Sequence, residues 1–203
     1  MPSPTTLVLL AHPDLPHSRV TRRVAEALAT EPGVRVHDLY ARYPDFWIDV
    51  DAERAALRDA ALVVWLHPIH WYAMPALMKL WVDRVLGLGW AYGPGGDALA
   101  GKTLWLVASA GSAAATYTAM GGSAEQPLAP FLPPYEQTAA LARMRWLPPS
   151  VLFHAHRVSD AEVQGHVDRV MARWRQHGDA WEGATWPLSA PVEGDRTHGG
   201  ALA

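Results

Sequence analysis

The chain of 203 residues has a net charge of -3, is 50% apolar and 18% charged, a balance that excludes disorder and offers no polybasic run to nucleic acid or an anionic membrane. It has no cysteine, which excludes disulfides, thiolate metal sites and cysteine nucleophiles and suits a reducing compartment. No apolar stretch approaches the ~20 residues that span a bilayer and the first residues show no signal-type core, so one cytoplasmic domain without direct membrane insertion is expected.

In chain order, Leu7 to Ala11 is a continuous apolar run and reads as a strand buried on both faces. A loop with His12, Pro13, Pro16, His17 and Ser18 leads into a helix expected to start near Arg19, with Val20, Val24, Ala27 and Leu28 on one face. Val34 to His37 makes a short strand near a sheet edge. Tyr40, Tyr43, Phe46 and Trp47 surround Pro44-Asp45 in what reads as a packed surface loop. Residues Ala52 to Asp59 form a helix, and Ala61 to Leu66 a second long strand that stops before His67-Pro68.

The helix expected from Pro75 to Leu86 is apolar almost all round, with only the Lys79 and Asp83 side plainly polar. The sheet covers one side; a second subunit or the chain's own loops must cover the other. Thr103 to Ala108 is the third long strand, Glu136 to Met144 a helix, and Val151 to Phe153 the last strand. Val163, Val167, Val170, Met171 and Trp174 mark the final helix. From Gly178 the composition turns to Gly, Ala, Pro, Ser and Thr, which divides the chain into a domain over 1–178 and a tail over 179–203. Strands alternating with helices predict right-handed crossovers and an α/β, doubly wound, five-stranded parallel sheet.

Three segments carry the chemistry, each at the carboxyl end of a predicted strand, where ligands of open α/β sheets bind. The first runs from His12 to Thr21. Ser18 is an N-cap type, and the free N–H groups of the first helical turn, at Arg19, Val20 and Thr21, make an anion site. Read blandly, Ser18 only caps the helix. The second holds Pro68, Ile69, His70, Trp71 and Tyr72, a shelf for a flat uncharged ring or an aromatic cap on the core. The third, Ser109-Ala110-Gly111-Ser112, is a wall small enough for close backbone approach, with Tyr117 following. A phosphate cradle, an aromatic shelf and a small-residue wall together describe a mononucleotide with a large ring, which points to flavin.

Other constellations are thinner. His67 with His70, and His154 with His156, have spacings a metal can use, but no third ligand completes a site, so no metal is expected. A serine-hydrolase elbow and a Walker loop are absent.

Ala11-His12-Pro13 with Ser18, Leu39-Tyr40, Tyr43-Pro44-Asp45-Phe46, His67-Pro68 with Trp71-Tyr72, Pro75 to Asp83, Gly89-Trp90-Ala91-Tyr92-Gly93, Leu99 to Lys102 and Trp146-Leu147-Pro148-Pro149 carry a resemblance over Leu7 to His177. The chain resembles the flavodoxin-like NAD(P)H:quinone oxidoreductase family, which includes DT-diaphorase and the modulator-of-drug-activity proteins, and most of all its KefF branch, ancillary to the glutathione-regulated potassium-efflux system. The resemblance implies strand order 2-1-3-4-5. It implies a flavin, FMN or else FAD, held by His12, Ser18 to Thr21, Pro68 to Tyr72 and Ser109 to Ser112. It implies two-electron hydride transfer from NADH or NADPH to quinones, with Tyr117 as the catalytic residue. A homodimer is implied too, as is docking on a potassium-efflux antiporter that would hold the chain at the inner membrane. The chain departs from the family's Thr-Thr-Gly-Gly at Ser109 to Ser112, and Ser123 stands where the DT-diaphorase branch has a His. These departures leave a second expectation beside the first: a regulatory binding subunit of the antiporter with weak or no redox turnover.

Overall fold

A computed structural model describes residues 5–177. Five parallel strands, β1 (Thr6–Leu10), β2 (Val34–Asp38), β3 (Leu62–Ile69), β4 (Thr103–Ala110) and β5 (Arg145–Leu152), form one sheet in the order β2-β1-β3-β4-β5. Helices α1 (Thr21–Ala29) and α7 (Asp160–His177) cover one face of the sheet. On the other lie α3 (Val50–Asp59), α4 (Ala76–Val85) and α6 (Pro133–Leu141). Two short helices, α2 (Leu39–Arg42) and α5 (Ala114–Thr118), follow β2 and β4.

Alternate residues of each strand enter opposite cores. Val8, Leu10, Val64, Leu66 and Val107 pack with Val24 and Leu28 of α1 and Val167, Val170 and Met171 of α7. Leu7, Leu9, Val63, Trp65 and Leu104 pack with Leu57, Leu77, Met78, Trp81 and Tyr135. Burial on both faces is why the strands read as unbroken apolar runs.

The boundaries correct several expectations. The strand expected to stop at Leu66 runs on to Ile69, through Pro68. Beyond Leu66 its only strand partner is β4, since β1 pairs no further than Leu10. There β3 has become an edge, where a residue without an N–H is tolerated. The last strand begins at Arg145, far before Val151, and passes through Pro148-Pro149, again at an edge of the sheet. The first helix starts at Thr21 with Val20 as its N-cap residue, so Ser18 is not the cap. The helix expected from Glu136 is instead α6, starting at Pro133, and α3 starts at Val50. The stripe Val163 to Trp174 lies on α7 as expected.

On α4, Leu77, Met78, Trp81 and Val85 are buried in the core and Leu80, Val82 and Leu86 are half-buried. A groove of about 260 Å³ runs between α4 and α6, lined among others by Val82, Leu86, Tyr92 and Leu141. The tail over 179–203 lies outside the described residues.

Candidate functional site

The carboxyl ends of β1, β3, β4 and β5 meet around a cavity of about 430 Å³. That is a size typical of small-molecule clefts, ~300–1,000 Å³. Nine of the residues singled out in the sequence line it: His12, Ser18, Arg19, Val20, Pro68, Ile69, His70, Ser109 and Gly111. Asp14, His17, Ala155 and His156 complete the wall.

The loop from β1 to α1 is built to present donors. The backbone N–H of Asp14 donates to His12 Nδ1 at 3.1 Å. A neutral imidazole with Nδ1 accepting carries its proton on Nε2, so His12 offers an N–H donor. Burial and the nearby charge of His70 both push its pKa down, which keeps the ring neutral. A single turn, Leu15–His17, then brings His17 Nδ1 to 2.8 and 3.0 Å from the two carboxylate oxygens of Asp14. Ser18 Oγ accepts a long bond from Arg22 N at 3.4 Å. Thr21, the first residue of α1, is buried, and its Oγ1 has no hydrogen-bond partner. Arg19 reaches Asp160 of α7 at 3.1 Å, and Arg23 reaches the same oxygen at 3.2 Å, which ties α1 to the start of α7.

The segment after β3 is a two-residue turn. His70 N donates to Ala73 O at 2.9 Å and Ala73 N to His70 O at 3.0 Å. Trp71 and Tyr72 between them have φ of 47° and 66°. Such a turn favours Asn and Gly, because left-handed backbone crowds Cβ against the carbonyl. Two aromatic residues there store strain, which persists where the surroundings impose it and clusters at functional sites. Trp71 is 92% exposed. Tyr72 stacks on Phe131 at 4.8 Å between centroids, and Tyr117 meets both rings edge-on. Neither Trp71 nor Tyr72 lines the cavity; the shelf is made by Pro68, Ile69 and His70, and the aromatic pair forms its rim.

Ser109 and Gly111 line the cavity, while Ala110 is buried behind them and Ser112 does not reach it. A Cβ on Gly111 would sit 3.2 Å from His156 Nε2, so the wall is tight at this point. His156 is brought there by the turn after β5, where His154 N donates to Ser112 O at 2.9 Å and Ala155 N to Ala110 O at 3.0 Å. The sequence singled out His154 and His156 only as metal candidates. The signal it lacked was that β5 lies beside β4, which puts its exit turn on the same rim. Tyr117 is buried among Tyr72, Phe131 and Phe153 and lies outside the cavity lining. Burial raises its pKa despite a hydrogen bond to Ser112, so its hydroxyl stays protonated.

His67 parts from His70. It is wholly buried in the core, stacked on Tyr135 at 5.9 Å, with its pKa held down to about 4 by burial. Among the described residues, no group of three or more His, Cys, Asp or Glu side chains is placed to hold a metal ion.

A doubly wound parallel sheet in the order β2-β1-β3-β4-β5, with its cavity at the strand exits, defines a flavodoxin-like α/β protein. The chain belongs to the Flavodoxin_2 family, described by its flavodoxin-like fold, whose model matches residues 4–178. It is 42% identical over 170 residues to the glutathione-regulated potassium-efflux system ancillary protein KefG of Salmonella paratyphi B, covering 82% of this chain and 91% of that one. The curated relatives thus carry the name KefG, where the sequence resemblance pointed to KefF. The structure of general stress protein 14 of Treponema denticola, solved with FMN, matches with a TM-score of 0.78 and 37% identity over 85% of this chain and 99% of that one. An NADPH-quinone reductase from P. pentosaceus matches with a TM-score of 0.72 and 26% identity over 86% and 97%. Among the described residues, no helix is long and apolar enough to cross a membrane.

Proposed function

We propose that this chain is an FMN-dependent NAD(P)H:quinone oxidoreductase, working in the cytoplasm as a homodimer beside a potassium-efflux antiporter. The observation that carries the reading is the single cavity in which an anion cradle, a proline-stiffened shelf and a glycine wall converge. The residues present fit FMN. Thr21 Oγ1 is a buried hydroxyl lacking a partner at the start of α1, and the Nε2 proton of His12 is free to donate. His12, Ser18 and the first N–H groups of α1 would hold the phosphate. Pro68, Ile69 and His70, with Trp71 and Tyr72 as the rim, would hold the ring on one side, and Ser109 and Gly111, backed by Ala110 and Ser112, on the other.

When bound, the flavin supplies the hydride chemistry between nicotinamide and quinone. The chain's own part is to hold the stacked partners in line and keep water from the reacting face. Tyr117, whose raised pKa keeps it protonated, lies behind the aromatic rim and outside the cavity lining, so it would serve as proton donor to the quinol oxygen only for a quinone seated at the rim beside Tyr72. FAD is the alternative cofactor, and the domain is taken as 1–178 with 179–203 a tail. The name KefG on relatives near 40% identity supports the antiporter partner.

The test is direct. Purified protein is expected to bind FMN at micromolar concentration or below and to oxidise NADH or NADPH with a simple quinone. Colourless protein that refuses both FMN and FAD would overturn the reading. Tyr117→Phe is expected to lower quinone turnover about tenfold or more with FMN affinity kept. The departures from the family's residues at Ser112 and Ser123 favour a second reading. In it the chain binds flavin and regulates the antiporter with little turnover, and yellow protein inert toward NAD(P)H and quinone would select it.

A further inference from the structure

A second recess lies at the opposite edge of the sheet from the cavity. The groove of about 260 Å³ between α4 and α6 has Val82 and Leu86 on one wall, Leu141 and Ala142 on the other, and Tyr92 beside them. Leu141 is 60% exposed, a large apolar side chain left to water among the described residues. We propose that this groove is the seat of the chain's own C-terminal segment Trp186-Pro187-Leu188, with the Trp186 indole in the slot.

Position makes the contact reachable. The end of α7 lies at the start of β1, where Trp174 Nε1 donates to Thr6 Oγ1 at 3.0 Å and Arg175 reaches Glu31 at 2.6 Å. The groove lies at the starts of β4 and β5: just past the end of α6, Gly101 N donates to Arg143 O at 2.9 Å and Arg145 N to Lys102 O at 2.8 Å. His177, where the described residues end, and the groove therefore share one edge of the sheet and lie on its two faces. Between them stand two layers of about 10 Å each and two strand spacings of about 4.8 Å each, a direct course of about 20–25 Å. The chain from His177 to Trp186 reaches about 30 Å when extended. Trp181 reaches only about 14 Å from the same point and falls short.

Chemistry selects the occupant. Trp186-Pro187-Leu188 is the densest apolar cluster beyond His177. A Trp side chain buries about 150–250 Å² of surface, and its N–H needs an acceptor when covered. Asp83 supplies one at the groove, because Lys79 takes its Oδ1 at 2.5 Å and leaves Oδ2 for an indole N–H. Tethering favours this segment over a foreign one, since a short link gives an effective concentration in the millimolar range.

The experiment uses the full chain, which has no cysteine of its own. Gln137→Cys, exposed on α6 beside the groove, is combined with Ser189→Cys, next to Leu188, so that every apolar residue stays in place. A short bismaleimide is expected to join these two positions within one chain at least fivefold faster than in a control pairing Ser189→Cys with Ala29→Cys. Ala29 is exposed at the end of α1, close to where α7 ends, so an undocked segment would meet it at least as often. Adding Trp186→Ala is expected to bring the two rates level, and to speed hydrogen exchange in the last turn of α6 about threefold. Trp181→Ala should leave both readouts within twofold. Equal rates at Gln137 and Ala29, or a Gln137 rate unmoved by Trp186→Ala, would overturn the proposal. Cross-links between two chains would overturn it in favour of a second copy. Exchange in α6 that ignores Trp186 would overturn it by leaving the groove to another protein. Flavin takes no part in these readouts, so the outcome is independent of the oxidoreductase reading.

Discussion

Two clusters of polar groups, one beneath α3 and one at the strand exits, are built in opposite ways. Behind β2, Glu53 of α3 is wholly buried, and every neighbour satisfies it. Tyr43 Oη donates at 2.7 Å, Trp81 Nε1 at 3.0 Å and His37 Nδ1 lies at 3.1 Å from both oxygens, with Arg42 Nε at 3.4 Å. One carboxylate thereby pins α3 to β2, α2 and α4. Around the cavity, by contrast, four histidines face one space, two aromatics on its rim are forced into left-handed backbone, and Thr21 Oγ1, buried next to the lining residues Arg19 and Val20, has no partner. An orphaned atom alone does not mark a site, since Trp105 Nε1, Tyr135 Oη and His166 Nε2 are also orphaned within the core. Orphans, strain and convergence together do. A finished polar network stabilises the fold, and an unfinished one is complementary to something not yet bound.

The largest effect is expected where the network is complete. Glu53→Ala leaves the Tyr43, Trp81 and His37 donors buried and unpaired, and should cost about 3–5 kcal/mol in chemical denaturation. The same substitution at the cavity's carboxylate, Asp14→Ala, should leave stability almost unchanged. Equal losses at the two positions would erase the distinction.

Acid should find the buried groups next. Burial holds His67 and His166 down to about 4 from the ordinary 6.5. Between those values the unfolded chain binds protons that the folded chain does not, so stability rises with pH across this window and falls as pH drops from about 6.5 to about 4. Each group contributes up to about 1.4 kcal/mol per pH unit. Glu53 follows. Burial pushes its carboxyl up, but the hydrogen bonds from His37 and Tyr43, the charge of His37 and the bond from Trp81 hold it below 4.5. Its contribution is therefore present above pH 4.5 and is lost as pH falls further. Urea unfolding at pH 7, 5.5 and 4.5 reads this out, and a flat profile down to 4.5 would contradict it.

A smaller effect of opposite sign is expected at the strained turn. Trp71→Gly relaxes φ of 47° at an exposed side chain and should stabilise the protein by about 1 kcal/mol. FMN affinity should fall, because the backbone N–H groups of the shelf lose their fixed direction. A variant that gained no stability would remove strain from the contrast between the clusters.

What was legible in the sequence follows the same division. Buried strands announce themselves as apolar runs, and the nine cavity residues were found because strand exits in this topology converge. The misjudged boundaries all involve proline or capping. Pro68 and Pro148-Pro149 look like strand breakers unless it is known that their strands have an open edge there, and that is a property of pairing between distant segments. Ser18 has the chemistry of a cap, but the turn at Leu15–His17 delays the helix to Thr21. The Glu53 network was invisible because its donors come from three separate elements, β2, α2 with its C-cap, and α4. A Glu between Ala52 and Arg54 reads as an exposed helix residue until Tyr43 and Trp81 are folded onto it. His156 was missed as a wall residue for the same reason.

The smallest stability change, and the sharpest probe, lies at Thr21. Thr21→Val keeps the shape and removes a hydroxyl that bonds to nothing in the folded chain. Deleting a satisfied buried hydroxyl costs about 1 kcal/mol, whereas deleting an unsatisfied one removes a desolvation penalty and should leave stability equal or a few tenths of a kcal/mol higher. FMN affinity is expected to fall about three- to tenfold, because the same hydroxyl is then missing from the phosphate cradle, while riboflavin affinity should hold. A loss of stability in the apoprotein would mean that Oγ1 already has a partner in solution. Unchanged FMN affinity would mean that it faces the core and not the cradle. Either result would move Thr21 from the unfinished cluster to the finished kind that Glu53 exemplifies, and the anion site would then rest on His12, Ser18 and the backbone of α1 alone.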